Sequence, residues 1–263
     1  MDLGLKDKIA LVAGSSRGLG YATASALAKE GCKVAVNGRD AEKIQAAAKK
    51  INDETGTEAI GLAGDVSLSD VPESLIRQAV EAFGGLDILI TNASGPTPGS
   101  IDSLDEATWQ KGIDLCFMSH VRLIKSALPH LRKSGAASIL TVTSLTVKQP
   151  IPNLLISNSV RTATIGLTKS LAIELGREGI RVNSIIPGWT ETERVTVLMN
   201  DRAKANNSTV EEEAKRQAAE IPLGRMGQPA EFANAAVFLV SPAASYITGA
   251  MLNVDGSVVK GIF

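Results

Sequence analysis

Apolar and polar positions follow two rhythms along the chain. Short runs rich in β-branched residues are apolar on both faces, as in the strands of a parallel sheet covered by helices. Between them, longer segments repeat their apolar residues at helical spacing. The predicted strands are residues 8–13, 33–37, 58–63, 86–91, 138–143, 180–186 and 251–254. The clearest predicted helices are residues 19–30, 40–53, 68–83, 104–133, 153–176 and 229–240.

This alternation of strand and helix predicts right-handed βαβ crossovers. We therefore expect an α/β fold: a Rossmann-type, doubly wound parallel sheet of about seven strands with helices on both faces. No linker, repeat or low-complexity segment divides residues 1–263, so we expect a single dinucleotide-binding and catalytic domain.

Residues 189–221 interrupt the rhythm with a long, polar segment that has no strand pattern. Within it, Ser208 and Glu211 have the spacing of a capping box, which predicts that a helix begins there. Long insertions in compact domains are often lids over binding sites. We predict a substrate lid, with a plain surface insertion as the alternative.

Composition narrows the function classes. A net charge of −1 argues against the basic face that nucleic-acid binding needs. The polar start "MDLGLKDK" does not resemble a signal peptide, and no apolar run approaches the length of a membrane span. Two cysteines and two histidines form neither a disulfide framework nor a metal-binding spacing. We expect a cytoplasmic protein without a metal site.

A glycine-rich stretch, "ALVAGSSRGLG", leads from the first predicted strand into the first helix. Gly14, Gly18 and Gly20 allow the backbone to approach a pyrophosphate, and the helix that begins near Gly18 presents free N–H groups. Its place in a βαβ pattern predicts dinucleotide binding, although the spacing differs from the commoner G-x-G-x-x-G.

The end of the second strand distinguishes the two nicotinamide cofactors. An acidic residue there would bond a ribose 2′-hydroxyl and repel a 2′-phosphate, but the chain has Asn37-Gly38-Arg39. Asp40 follows and is expected to cap the next helix. Since Arg39 and Arg17 can bind a 2′-phosphate, we predict NADP(H) in preference to NAD(H).

Further motifs follow in order: "GDVS" (64–67), "TNASG" (91–95), "RVNSIIPGWTET" (181–192) and the long stretch 222–256. With them, the chain resembles the short-chain dehydrogenase/reductase family over essentially its full length, and especially its 3-oxoacyl-carrier-protein reductases. In "TNASG", Thr91 and Ser94 depart from the family's Asn and Gly. The cofactor-binding residues that the glycine-rich loop and the resemblance together predict are Gly14, Ser16, Arg17, Gly18, Leu19, Gly20, Asn37, Arg39, Asp65, Val66, Asn92, Ala93, Arg161, Pro187, Gly188, Thr190 and Thr192.

The resemblance also implies a catalytic set of Asn, Ser, Tyr and Lys, in which the tyrosine protonates the carbonyl oxygen. Ser144 matches the serine, but Ser157 stands at the tyrosine position and Arg161 at the lysine position. The run "RTATIGLTKSLAIEL" (161–175) aligns with the family without a gap, so the register holds. Asp114 replaces the asparagine. The candidate catalytic residues are thus Ser144, Ser157, Arg161 and Asp114.

These replacements leave two interpretations open. The first is an NADP(H)-dependent oxidoreductase acting on a carbonyl or alcohol, whose proton comes from water, Lys148, His120 or the substrate. Arg161 would stabilise charge and could pair with Asp114. The second is an NADP(H)-binding protein without redox turnover, acting as a sensor or assembly partner. The retained serine, Pro-Gly turn and predicted lid favour the enzyme.

The resemblance further implies assembly. The predicted helices 104–133 and 153–176 carry more apolar residues than one sheet face can cover, and in the family such helices pair between subunits. We expect a homodimer or homotetramer that acts on a small-molecule carbonyl or alcohol substrate.

Overall fold

The structure is a computed structural model that describes residues 1–262. Its seven strands form one sheet in the order β3-β2-β1-β4-β5-β6-β7, and every neighbouring pair is parallel. The fold predicted from the sequence is confirmed. The strands are β1 (Ile9–Val12), β2 (Lys33–Gly38), β3 (Ala59–Ala63), β4 (Ile88–Thr91), β5 (Ser138–Val142), β6 (Arg181–Pro187) and β7 (Met251–Val254).

Helices cover both faces of this sheet. One hydrophobic core lies between the sheet and α1, α2 and α9, and a second lies between the sheet and α3, α5 and α6. Every residue of β4 and of β5 is buried, which explains their uninterrupted apolar pattern. The helices are α1 (Gly18–Lys29), α2 (Ala41–Thr55), α3 (Val71–Phe83), α4 (Glu106–Ile113), α5 (Ser119–Leu131), α6 (Leu155–Leu175), α7 (Glu193–Asn206), α8 (Val210–Ala219) and α9 (Pro229–Val240).

The single helix predicted over 104–133 is divided. A π-helical turn, Asp114–Met118, separates α4 from α5. Such a turn inserts extra backbone into the helix and changes which side chains share a face. The periodicity of the sequence did not reveal it, because each half is regular by itself.

Residues 189–221 contain two helices, α7 and α8, and no strand. Met199, Ile221 and Met226 form a small core of their own beneath these helices. The predicted capping box was wrong by one residue. Thr209 and Glu212 form it, so α8 begins at Val210.

Among the described residues, no helix is both long and apolar enough to cross a membrane.

The packing of α4 on α6 depends on Gly112. A Cβ atom at this position would lie 2.3 Å from Cγ2 of Ile156, which is fully buried. We expect Gly112→Ala to lower the free energy of unfolding by about 1–3 kcal/mol, because an added methyl group must force these helices apart. Urea denaturation measures the effect.

Gly176→Ala is the matched control. Gly176 follows α6 with helical backbone angles, and a Cβ atom there would meet nothing within 4 Å. Its replacement should be neutral or stabilise by about 0.4–1 kcal/mol. Equal losses in the two variants would contradict the packing argument.

Candidate active site

The carboxyl ends of the parallel strands border one cavity of about 700 Å³. In doubly wound sheets, ligands bind at this edge near the point where the strand order changes direction. Here that point lies between β1 and β4, since β2 and β3 lie on one side of β1 and β4 to β7 on the other. The cavity brings together every predicted site residue except Asp114. Those that line it are Gly14, Ser16, Arg17, Gly18, Leu19, Gly20, Asn37, Arg39, Asp65, Val66, Asn92, Ala93, Ser144, Ser157, Arg161, Pro187, Gly188, Thr190 and Thr192.

The glycine-rich turn is shaped for close backbone contact. A Cβ atom at Gly20 would lie 2.3 Å from the carbonyl oxygen of Gly14, so only glycine lets α1 approach the turn. Gly18 has a φ of +58° and faces the cavity. Asn92 donates to the carbonyl oxygen of Gly14 at 3.0 Å and ties the turn to the end of β4. The cradle fits a pyrophosphate at the start of α1.

Asn37 lines the cavity, but its side chain is used within the protein. Its amide nitrogen donates to the carbonyl oxygens of Leu62 and Gly64, each at 3.1 Å. Its amide oxygen accepts from the backbone N–H of Gly14 at 3.3 Å. Asn37 therefore holds the glycine-rich turn against β3, in addition to lining the cavity.

The tip of β2 is free of carboxylates. The strand ends at Gly38, and Ser16 packs where a side chain on Gly38 would lie. Arg39 is exposed at the rim, with Nη1 4.0 Å from a carboxylate oxygen of Asp65. Arg17 forms an ion pair with Glu193 at the start of α7. Both arginines line the cavity at its cofactor end, each with one carboxylate nearby. As predicted, Asp40 caps α2 by accepting from the N–H of Lys43.

The opposite wall follows β6. A Cβ atom at Gly188 would lie 2.6 Å from Cα of Asp255, so this turn also requires glycine. Thr192 is the N-cap of α7, with its hydroxyl accepting from the N–H of Val195. Trp189 and Leu198, which belong to the predicted lid, extend this wall.

Three hydroxyl groups face the cavity beside β5. Ser144 caps a short turn, and its Oγ accepts from the N–H of Thr146 at 3.3 Å. The hydroxyls of Thr146 and Ser157 lie 3.0 Å apart, so either can donate to the other. Ser157 is only 6% exposed. Ser144 and Ser157 therefore belong to one polar group, to which the sequence analysis did not assign Thr146.

The guanidinium of Arg161 is buried, with the residue 5% exposed. Nη1 donates to the carbonyl oxygens of Val142 and Thr143 at 3.4 Å, and Nη2 to those of Ala93 and Ser94 at 3.4 and 3.1 Å. One side chain thus joins the ends of β4 and β5. No carboxylate lies within ion-pair distance among residues 1–262.

The predicted pairing of Asp114 with Arg161 was wrong. Asp114 lies on the π-helical turn outside the cavity lining, where Arg122 donates to it at 2.8 Å. Gln110 donates to its other oxygen at 3.0 Å. The hydrogen bond from Gln110, together with Arg122, lowers the pKa of Asp114. A carboxylate held in this way is part of the helix packing.

Neither of the other proton donors considered from the sequence lines the cavity. Lys148 is exposed beyond the turn that follows Ser144. His120 is 1% exposed, and its Nδ1 lies 2.6 Å from the hydroxyl of Thr91. Its Nε2 has no hydrogen-bond partner. Burial, followed by the positive charge of Arg161, lowers the pKa of His120 from 6.5 to about 3.

Sequence reasoning missed several residues of the wall. Lys111 lines the cavity from α4 and Arg194 from the first turn of α7, while Thr97 follows β4. The sequence shows that Lys111 and Arg194 are charged. It does not show that they line the cavity, because that depends on how α4 and α7 pack.

The low pKa of His120 makes stability fall with acid. Below pH 6.5 the unfolded chain binds a proton that the folded protein excludes until about pH 3. The free energy of unfolding should therefore drop between pH 7 and pH 5 by about 2 kcal/mol through this group alone. Denaturant titrations at the two pH values, for the wild type and for His120→Gln, isolate the effect. An equal pH dependence in the two proteins would contradict it.

Comparison with known proteins finds relatives over almost the whole chain. A family model described as enoyl-(acyl carrier protein) reductase matches residues 13–258. The chain is 36% identical over 253 residues to dehydrogenase/reductase SDR family member 4 of Bos taurus, covering 96% of this chain and 87% of that protein. It is 32% identical over 256 residues to the 3-oxoacyl-[acyl-carrier-protein] reductase FabG of Vibrio cholerae, covering 97% and 99%.

A solved structure shows the same architecture throughout. L-sorbose reductase from Gluconobacter frateurii, complexed with NADPH and L-sorbose, superposes with a TM-score of 0.96 at 31% identity and 100% coverage of both chains. The seven-stranded parallel sheet is thus shared with a relative of known structure that spans this chain from end to end. The chain belongs to the short-chain dehydrogenase/reductase family.

Proposed function

We propose that the protein is an NADP(H)-dependent oxidoreductase that reduces a small carbonyl substrate or oxidises the corresponding alcohol. One observation carries the proposal: a single cavity extends from the glycine-rich turn to the hydroxyls of Ser144 and Ser157. A dinucleotide held by the turn and a substrate held by the hydroxyls would share this space. A site for binding the cofactor alone would not need the second half.

The residues around Arg39 support NADP(H). Arg17 and Arg39 both line the cavity, and β2 ends at Gly38 without an acidic residue that would repel a 2′-phosphate. The carboxylate of Asp65 lies 4.0 Å from Arg39 and accepts from the backbone N–H of Ser67 at 2.9 Å. The solved relative that shares the fold over its full length also holds NADPH.

When bound, the nicotinamide supplies or accepts the hydride at the carbonyl carbon. The chain's own groups act on the oxygen, which gains a proton as the carbon gains the hydride. Ser144 accepts a backbone N–H, so its own O–H remains to donate to a substrate oxygen. This contact orients the carbonyl beside the cofactor cradle.

Without the family's tyrosine, the proton must travel through hydroxyls or water. Thr146 and Ser157 are hydrogen-bonded to each other and can pass a proton from water to the substrate oxygen by exchanging their roles as donor and acceptor. Arg161 lies at the same strand ends and stabilises negative charge that develops on the oxygen.

Residues 189–221 serve in this proposal as a substrate lid. The first turn of α7 contributes Glu193, Arg194 and Val195 to the cavity wall. Glu193 pairs with Arg17 of the glycine-rich turn. The proposed assembly is a homodimer or homotetramer. Ile173 on α6 is 75% exposed in the single chain, as an interface residue would be before assembly.

One observation favours the alternative of cofactor binding without turnover. All four hydrogen bonds of Arg161 go to backbone carbonyls, and neither of the two tyrosines lines the cavity. In that case Arg161 would hold the site open as a scaffold. An assay of NADPH oxidation with carbonyl compounds decides between the two functions.

Removing the charge of Arg39 should change cofactor preference. We expect Arg39→Gln to weaken NADPH binding about tenfold, with NADH binding nearly unchanged, because only NADPH has the phosphate that Arg39 would bind. Nicotinamide fluorescence titrations measure the dissociation constants of NADPH and NADH. Lys49→Gln, which removes a cation from α2 outside the cavity, is the control. Parallel losses for NADPH and NADH would place Arg39 away from the phosphate.

Turnover is tested with NADPH and a panel of ketones, diketones and 3-oxoacyl thioesters, followed by nicotinamide absorbance. We expect oxidation of NADPH with at least one carbonyl compound. Tight NADPH binding with no turnover across the panel would instead support the non-catalytic function.

The double variant Ser157→Tyr with Arg161→Lys then tests the geometry of the site. Because Ser157 lines the cavity, a phenol there would project into it, and kcat should rise by about 10²–10⁴-fold, the range for a positioned acid. Ser157→Phe with Arg161→Lys has the same bulk without the acidic hydroxyl and should not rise. Equal activities in the two double variants would contradict the proposed position of the acid.

A further inference from the structure

The charges that line the cavity differ between its two ends. Its two lining carboxylates, Asp65 and Glu193, are each matched by an arginine of the cofactor end. The other end is lined by Lys111, Arg161 and Arg194. No carboxylate lies within 4 Å of these three cations anywhere in the described chain.

Contacts place two of these cations, Arg161 and Arg194, around the loop that follows β4. Arg161 donates to the carbonyl oxygen of Ser94 from beneath the loop. The guanidinium of Arg194 lies over the next residue, Gly95, where a Cβ atom would be 3.1 Å from Nη2 and 3.4 Å from Nε. Gly95 does not have a positive φ, so its missing side chain is needed for space and not for the turn. The guanidinium fills that space.

Lys111 lines the cavity wall from α4, where its side chain is exposed. The next residue, Gly112, packs directly against Ile156, the neighbour of Ser157. Between the cations the wall is apolar, with Leu115, Ile151, Leu154, Trp189 and Leu198.

We propose that the substrate is an oxo acid, or the matching hydroxy acid, whose carboxylate binds Arg194 while its carbonyl or hydroxyl oxygen meets Ser144. This inference rests on the proposed function, because it assigns the substrate of the same site. An arginine without a carboxylate partner is suited to bidentate binding of a carboxylate. Lys111 and Arg161 add positive potential, which attracts an anion into a cleft with apolar walls.

The test compares acids with their neutral esters: acetoacetate with methyl acetoacetate, and levulinate with methyl levulinate. We expect the acid of at least one pair to have the higher kcat/KM. Arg194→Gln should lower kcat/KM for that acid about tenfold and leave its ester within about twofold, the difference that a charge-assisted hydrogen bond makes. Arg194→Lys should retain only part of the preference, since it keeps the charge but loses the bidentate guanidinium.

Two further variants separate position from charge. Gly95→Ala keeps Arg194 but fills the space under its guanidinium, so the preference for the acid should fall. Lys204→Gln removes a cation from the exposed surface of the same helix, outside the cavity, and should change nothing. If Arg194→Gln lowers kcat/KM for the acid and for its ester by the same factor, the proposal is overturned. It is also overturned if the dissociation constant of NADPH rises tenfold while the ratio of kcat/KM between acid and ester is unchanged, since Arg194 would then contact the cofactor.

Calorimetric titration of levulinate and its methyl ester into the NADPH complex keeps this inference separate from turnover. If no compound is reduced but levulinate binds more tightly than the ester, and Arg194→Gln abolishes the difference, the anion site stands and the redox function fails. If carbonyl compounds are reduced but acids have no advantage in either assay, the redox function stands and the anion site fails.

Discussion

A guanidinium removed from water must have its N–H groups satisfied, and that requirement organises the centre of this protein. Arg161 has no carboxylate to neutralise it, so it is held by carbonyl oxygens at the ends of β4 and β5. Those carbonyl oxygens are available to accept from Arg161 because the sheet hydrogen bonding of β4 and β5 ends at this edge. A single side chain of α6 thus joins the ends of the two strands that Asn92 and Ser144 follow in the chain.

The positive charge of Arg161 also affects the side chains around it. Its charge, added to burial, keeps His120 neutral, so the imidazole acts as a packed neighbour of Thr91 and not as a proton source. The short side chain of Ser157 bonds to Thr146 at the cavity wall. The site therefore joins a fixed cation to small hydroxyls, an arrangement that fits the proposed electrostatic stabilisation with a proton drawn from water through the hydroxyls.

Much of this could be predicted from the sequence, for physical reasons that differ by element. The strands β4 and β5 were predictable because burial on both faces leaves a continuous apolar run. The positions of Ser157 and Arg161 were predictable because α6 is unbroken, so residues four apart share a face. Asp114 was misplaced because the π-helical turn at 114–118 alters the face that follows. Arg194 was missed because its role depends on the space above Gly95, a contact between segments far apart in the chain.

The first turn of α7 connects the two ends of the cavity. Glu193 and Arg194 are consecutive, so their side chains leave the helix in different directions. Glu193 pairs with Arg17 on the glycine-rich turn, and Arg194 lies over the loop after β4. Because Thr192 caps this turn and also lines the cavity, the helix cannot shift without altering both contacts. In the proposed function, cofactor and substrate would therefore each meet a charge carried by the same turn, so a change in the position of this turn would affect both binding sites.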